Sequence, residues 1–131
     1  MCIFCKIVDG AIPSKKVYED ENVMAILDIS QATVGHTLVI PKKHFDNLLD
    51  IDNETYQYVM IGAKRVAKIL NDKLNPEGFN IINNCGEVAG QSVMHFHVHV
   101  VPRYKNDDFK IINVDHSKDV DLDDILNKIN K

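Results

Sequence analysis

Apolar side chains recur along this chain in two rhythms, and the rhythms divide it into elements. Across residues 52–73, Tyr56, Val59, Met60, Ala63, Val66, Ala67 and Leu70, with Leu74 just beyond, return at steps of three and four. That spacing lays one apolar stripe along a helix. Asp52 is placed to cap its first turn, Glu54 suits the positive end of the helix dipole, and Asn75-Pro76-Glu77-Gly78 ends it. Shorter apolar runs predict strands at 16–19, 23–28, 37–40, 79–83 and 93–101. Pro41 closes the third, having no N–H to give a ladder. The first twelve residues predict a helical turn ending near Asp9-Gly10, and a short amphipathic helix from about Asp121 carries Leu122, Ile125, Leu126 and Ile129. Strands in close succession with one long helix between them predict an α+β fold with an antiparallel sheet.

Composition narrows the setting. At 131 residues and 45% hydrophobic content, the chain is expected to form a single domain over 1–131. No apolar run approaches the ~20 residues that cross a bilayer, and the amino terminus lacks the pattern of a secretory signal. The expectation is a cytoplasmic protein without a membrane partner. A net charge of −4 supplies no global field for nucleic acid, so an anionic ligand has to be small and met by a local pocket. Three cysteines without a secretory signal argue against a disulfide framework.

The chemistry concentrates in His95-Phe96-His97-Val98-His99. On a strand, alternate side chains share a face at ~6.5–7 Å spacing. His95, His97 and His99 then point one way, with Phe96, Val98 and Val100 buried against the helix and the imidazoles on the open face. Three readings stand: unconnected strand histidines, ligands of a catalytic zinc, or an imidazole acting as nucleophile or acid on phosphorus. The preceding loop, Gly86-Glu87-Val88-Ala89-Gly90-Gln91-Ser92, favours phosphorus, because its backbone N–H groups can approach an oxyanion.

The segment from Gly90-Gln91-Ser92 through His95-Phe96-His97-Val98-His99-Val100-Val101 resembles the signature of the histidine-triad (HIT) superfamily. Ile3-Phe4-Cys5-Lys6-Ile7, Ile12-Pro13, Tyr18-Glu19-Asp20, Leu27-Asp28-Ile29 and Gly35-His36 through Pro41-Lys42-Lys43-His44 extend the likeness to about Tyr104. The domain core is expected over about 2–104, with an extension over about 105–131. The resemblance implies a five-stranded antiparallel sheet with a long helix and short terminal helices, and a homodimer with the helix from Asp52 at its interface. It implies His97 as nucleophile, His99 beside the phosphate or handling leaving-group protons, and His95 orienting His97 through its backbone carbonyl. It places Ser92, Gln91 and Asn84 near the phosphate and leaving group, Asp28 on the ribose hydroxyls, and Ile3, Phe4, Ile7, Ile26 and Leu27 around the base. His36 maps near the triad without an assigned role. Arg103 reads as solvated, with phosphate assistance as the alternative; His116 reads as solvated, and Cys85 carries no assigned chemistry.

Cys2-x-x-Cys5 reads as incidental thiols, a redox pair, or half of a zinc site that His44 and then His95 would complete. A zinc-bearing bacterial branch of the superfamily resembles the last arrangement, with Cys2, Cys5, His44 and His95 as structural ligands. The implied activity is hydrolysis of an adenosine 5′-phosphoramidate, adenylyl conjugate or diadenosine polyphosphate through a nucleotidyl-histidine, releasing a nucleoside monophosphate. A zinc-dependent hydrolase using the triad as ligands and a nucleotide-binding regulatory module are the alternatives. His99 stands where a transferase branch of the family has glutamine, which weighs against transfer.

Overall fold

The computed structural model describes residues 2–110 and 116–131, so 111–115 of the carboxyl-terminal extension lie outside the described residues. Its elements in chain order are α1 (Ile3–Val8), β1 (Lys16–Glu19), β2 (Val23–Leu27), β3 (Thr37–Pro41), α2 (Asn53–Leu74), β4 (Gly78–Ile82), β5 (Val98–Arg103) and α3 (Leu122–Ile129), with a 3-10 turn at Glu87–Ala89 before β5. The strands form one five-stranded antiparallel sheet in the order β1-β2-β3-β5-β4. The fold is α+β, as the spacing of elements predicts.

Alternation along the strands assigns the two faces. Val23, Ala25, Val39, Val98 and Val100 join Phe96 beneath Val59, Ala63, Val66 and Leu70 of α2. The intervening residues Met24, Ile26, Leu38 and Ile40 pack with Phe4 on the opposite face. β2 and β3 are therefore covered on both sides, which is why their apolar runs are continuous rather than alternating. Asp52 caps α2 as expected, its carboxylate accepting the Thr55 N–H at 2.7 Å, and Asn75 ends it in the left-handed region at φ 50°. Tyr56 and Leu74, counted in the apolar stripe, stay exposed at its ends. Helix α3 starts where the sequence places it, capped by Asp121, but every residue in it is exposed. None of the helices among the described residues is long and apolar enough to cross a membrane.

One expected boundary is wrong in a way that matters. The strand read at 93–101 begins only at Val98. β3 and β5 pair Thr37 with Val100 and Val39 with Val98, and continuing that register would set Pro41 opposite Phe96. Proline has no N–H to donate, and the Phe96 N–H turns instead to the Phe45 carbonyl at 2.6 Å. His95 and His97 thus sit on the irregular approach to β5, and only His99 lies in the strand.

Gly35 shows how closely the loop before β3 is packed. At φ +97° a Cβ would be strained, and it would meet Leu74 Cδ1 at 2.6 Å and Pro102 Cγ at 3.2 Å. Gly35→Ala is expected to lower unfolding free energy by about 1–3 kcal/mol, read as an earlier urea midpoint. An unchanged midpoint would show that the loop accommodates the methyl group.

Candidate active site and metal cluster

The histidine face is not open. Helix α1 lies over it, so His95 is fully buried and His97 is 4% exposed. The Phe4 ring meets His97 edge-on at 5.2 Å and His95 at 5.8 Å. His97 and His99 ring centroids are 5.1 Å apart, closer than flat strand spacing because His97 precedes the strand.

Each imidazole has a hydrogen-bond partner that settles what its nitrogens do. His97 Nδ1 lies 2.8 Å from the His95 carbonyl, so Nδ1–H donates there and Nε2 keeps its lone pair. Asn83 Nδ2 donates to the carbonyl of His97 itself at 2.9 Å, while its Oδ1 is buried without a hydrogen-bond partner among the described residues. Burial holds the pKa of His97 below the ordinary imidazole value, against the opposing pull of the His95 carbonyl and the Asp28 charge. His99 is pushed down to about 4, first by burial and then by the neighbouring His97 and His36. His36, buried at the head of β3, is lowered by burial, partly offset by Asp28 and the Ser30 backbone. At neutral pH all three are uncharged rings, able to act as lone-pair nucleophiles or N–H donors.

A cavity of about 300 Å³ opens between α1, β2, β3 and the triad. Ile3, Phe4, Ile7, Ile26, Leu27, Asp28, Ser92, His97 and His99 line it, together with Ile29, Leu38 and Val93, which sequence reasoning did not single out. Asp28 holds its position by accepting the Ser30 N–H on Oδ1 at 2.8 Å. Gln91 and Asn84 do not line this cavity. Gln91 is 2% exposed, and its amide is spent on backbone: Oε1 accepts the Gly86 N–H at 2.8 Å, and Nε2 donates to the Asp46 and Val93 carbonyls. It closes the Gly86–Ser92 loop at both ends. Asn84 lies against Gly90 of the same loop. Arg103 stays partly exposed and does not line the cavity; its guanidinium donates two hydrogen bonds to Asp107, one to Asn80 and one to the Phe109 carbonyl. His116 is exposed, as expected.

Cys2, Cys5, His44 and His95 converge as one cluster, which can hold a metal ion. His95 Nδ1 lies 3.4 Å from Cys2 Sγ, 3.5 Å from Cys5 Sγ and 3.1 Å from His44 Nδ1, and Cys5 Sγ lies 3.4 Å from His44 Nδ1. The outer nitrogens are already committed: His95 Nε2–H donates to the Pro41 carbonyl at 2.9 Å, and His44 Nε2–H to Asp46 Oδ1 at 2.8 Å. Both Nδ1 lone pairs therefore face the two sulfurs. A second trio, Asp28, His36 and His99, also converges. There the Ala32 N–H donates to His36 Nδ1 at 3.2 Å, which leaves the proton on the Nε2 that a metal would need free. This trio fits a hydrogen-bonded network better than a metal.

Comparison with known proteins agrees with this construction. A HIT domain model matches residues 9–106. A crystal structure of a HIT family member from Bacillus subtilis is 47% identical, covers 98% of this chain and 92% of its own, and superposes with a TM-score of 0.89. A Zn-bound histidine triad family protein from Mycobacterium smegmatis is 44% identical, covering 84% of this chain and 80% of its own at a TM-score of 0.80. An adenosine 5′-monophosphoramidase of Schizosaccharomyces pombe is 39% identical over 102 residues, 78% of this chain and 74% of its own length. With the family model spanning most of the sequence and the sheet matching solved members, this chain belongs to the HIT domain family.

Proposed function

We propose that this chain is a nucleotide hydrolase that cleaves adenosine 5′-phosphoramidates or related adenylyl conjugates at the α-phosphorus, with His97 Nε2 as nucleophile. The observation that carries the reading is the 2.8 Å bond from His97 Nδ1 to the His95 carbonyl, which aims a neutral ring's lone pair from the wall of a nucleoside-sized cavity. The His97–phosphorus bond forms as the bond to the leaving group breaks, and the leaving group departs with the electron pair and takes up a proton from solvent water. Water then attacks phosphorus and loses a proton to solvent as the P–Nε2 bond breaks, returning the pair to Nε2 and releasing the nucleoside monophosphate. Ile3, Phe4, Ile7, Ile26 and Leu27 offer apolar walls to a purine, and Asp28 offers a carboxylate to the ribose hydroxyls. Ser92 meets the phosphate or leaving group from the cavity rim, while Gln91 and Asn84 brace the loop behind it, whose Gly86, Ala89, Gly90 and Gln91 N–H groups are spent on bonds within the loop rather than offered to an oxyanion.

Zinc fits the cysteine–histidine cluster. Tetrahedral Zn–S and Zn–N bonds put ligand atoms ~3.3–3.8 Å apart, close to the 3.1–3.5 Å measured between these donors. Four protein ligands make a closed site, and the Asp46 and Pro41 partners are the outer contacts that orient ligating histidines. The metal would pin α1 to His95, and no chemical step passes through it. Ring directions oppose a triad-bound catalytic zinc, since Nδ1 of His95 faces the sulfurs and Nδ1 of His97 faces a carbonyl. A homodimer fits as well: β4 is an outer strand of the sheet, and Tyr56 and Ile61 of α2 are exposed. Sedimentation at the monomer mass across micromolar concentrations would exclude it.

Intact mass spectrometry after brief mixing with an adenosine phosphoramidate is expected to find an adenylyl adduct in the wild type and none in His97→Ala. Turnover without any adduct in the wild type would overturn the covalent mechanism. Cys5→Ser is expected to lose most bound zinc by elemental analysis and to show weaker adduct formation at His97. Full zinc occupancy in that variant would refute the ligand set.

A further inference from the structure

His36 lies outside the triad, yet its hydrogen bonds determine what His99 can do. The Ala32 N–H donates to His36 Nδ1 at 3.2 Å with hydrogen-bond geometry, which the nearby Ser30 backbone does not reach with the ring, so that nitrogen presents a lone pair. An Nδ1–H tautomer or an imidazolium would set two N–H groups against each other. The proton of the neutral ring therefore sits on Nε2, which lies 2.9 Å from His99 Nδ1 and 3.6 Å from Asp28 Oδ2. His36 Nε2–H donates to His99 Nδ1, and the single proton of neutral His99 is left on its own Nε2. Nothing among the described residues bonds to that second nitrogen, and His99 lines the cavity.

The loop carrying Ala32 is held firmly enough to impose this state. Gln31 Oε1 accepts the Gly35 N–H at 2.8 Å, and Gln31 Nε2 donates to the carbonyls of Asp28 at 2.6 Å and His36 at 2.7 Å. The His36 carbonyl also accepts the Asp28 N–H at 3.0 Å. One backbone carbonyl, that of His95, thus makes His97 a lone-pair ring at Nε2. One backbone N–H, that of Ala32, acts through His36 to make His99 the opposite.

We propose that His36 is a positioning residue that fixes His99 as an Nε2–H hydrogen-bond donor to the phosphoryl oxygens, not as a proton shuttle. Loss of the Nε2 proton would leave an imidazolate, since Nδ1 is already receiving a hydrogen bond from a neutral ring. Gain of a proton at Nε2 is blocked because one is already there. The donor instead stabilises charge on the equatorial oxygens as His97 attacks and again as water attacks. The proposal rests on the nucleotidyl-transfer reading for its catalytic part, while the tautomer itself does not depend on that reading.

Long-range ¹H–¹⁵N correlation on the wild-type protein labelled at histidine nitrogens gives the first test, at neutral pH and without substrate. The expected result is a protonated Nε2 and bare Nδ1 on His99, with the reverse on His97. A protonated Nδ1 on His99 overturns the proposal whether or not the protein proves to be a hydrolase. The second test compares His36→Ala and His36→Gln on two adenosine 5′-phosphate derivatives, one with an alkylamine leaving group and one with p-nitrophenol. His36→Ala is expected to lower kcat by about 10–100-fold on both, somewhat less than deletion of an oxyanion donor itself. His36→Gln, which keeps an N–H for His99 Nδ1, is expected to recover part of that loss. A loss confined to the alkylamine substrate would mean that His99 passes a proton, and an equal loss in both variants would mean that only ring packing matters. Should His36→Ala fail to fold, the wild-type spectrum and His36→Gln still decide the matter.

Discussion

His95 is the residue on which the site depends, because every polar atom of its side chain and its carbonyl holds a different part of the structure. Its ring reaches the Cys2 and Cys5 sulfurs through Nδ1 and the end of β3 through Nε2, while its carbonyl takes the His97 N–H. A fully buried imidazole with these commitments cannot rotate without breaking at least two of them. The amino-terminal helix, the strand junction and the nucleophile are therefore positioned by one side chain. This is why the cysteine pair, far from the histidines in sequence, belongs to the same device.

The sheet supplies the second constraint. β5 lies between β3 and β4, so the triad emerges from the middle of the sheet rather than from an edge. Phe96, Val98 and Val100 anchor one face under α2, and the histidines take the other, where α1 replaces solvent. Desolvation then keeps the rings neutral, the state in which imidazole has a lone pair to use. The apolar covering that makes the core also sets the chemistry.

Within that shell, backbone groups rather than charged side chains decide which nitrogen carries each proton. The carbonyls of His95 and Pro41 and the amide of Ala32 are fixed by the main chain, so they cost little reorganisation when charge develops. Asp28 and Asp46 add carboxylates beside His36 and His44, at the two ends of the histidine row.

Much of this was legible in the sequence. The 3.6-residue stripe with Asp52 and Asn75 at its ends gave α2, and strict alternation put Phe96, Val98 and Val100 opposite the histidines, because local periodicity alone dictates both. The motif resemblance named His97, Asp28 and the apolar lining, and these meet in one cavity. The sequence did not reveal that the strand starts at Val98, that Gln91 turns inward to the backbone, or that His36 touches His99. Each depends on which strands are neighbours and in what register. His36 meets His99 because β3 pairs with β5 at Leu38 opposite His99, a contact between residues 63 positions apart. Hydrophobic pattern fixes the face a side chain takes, but only tertiary packing chooses the partner that fixes its proton.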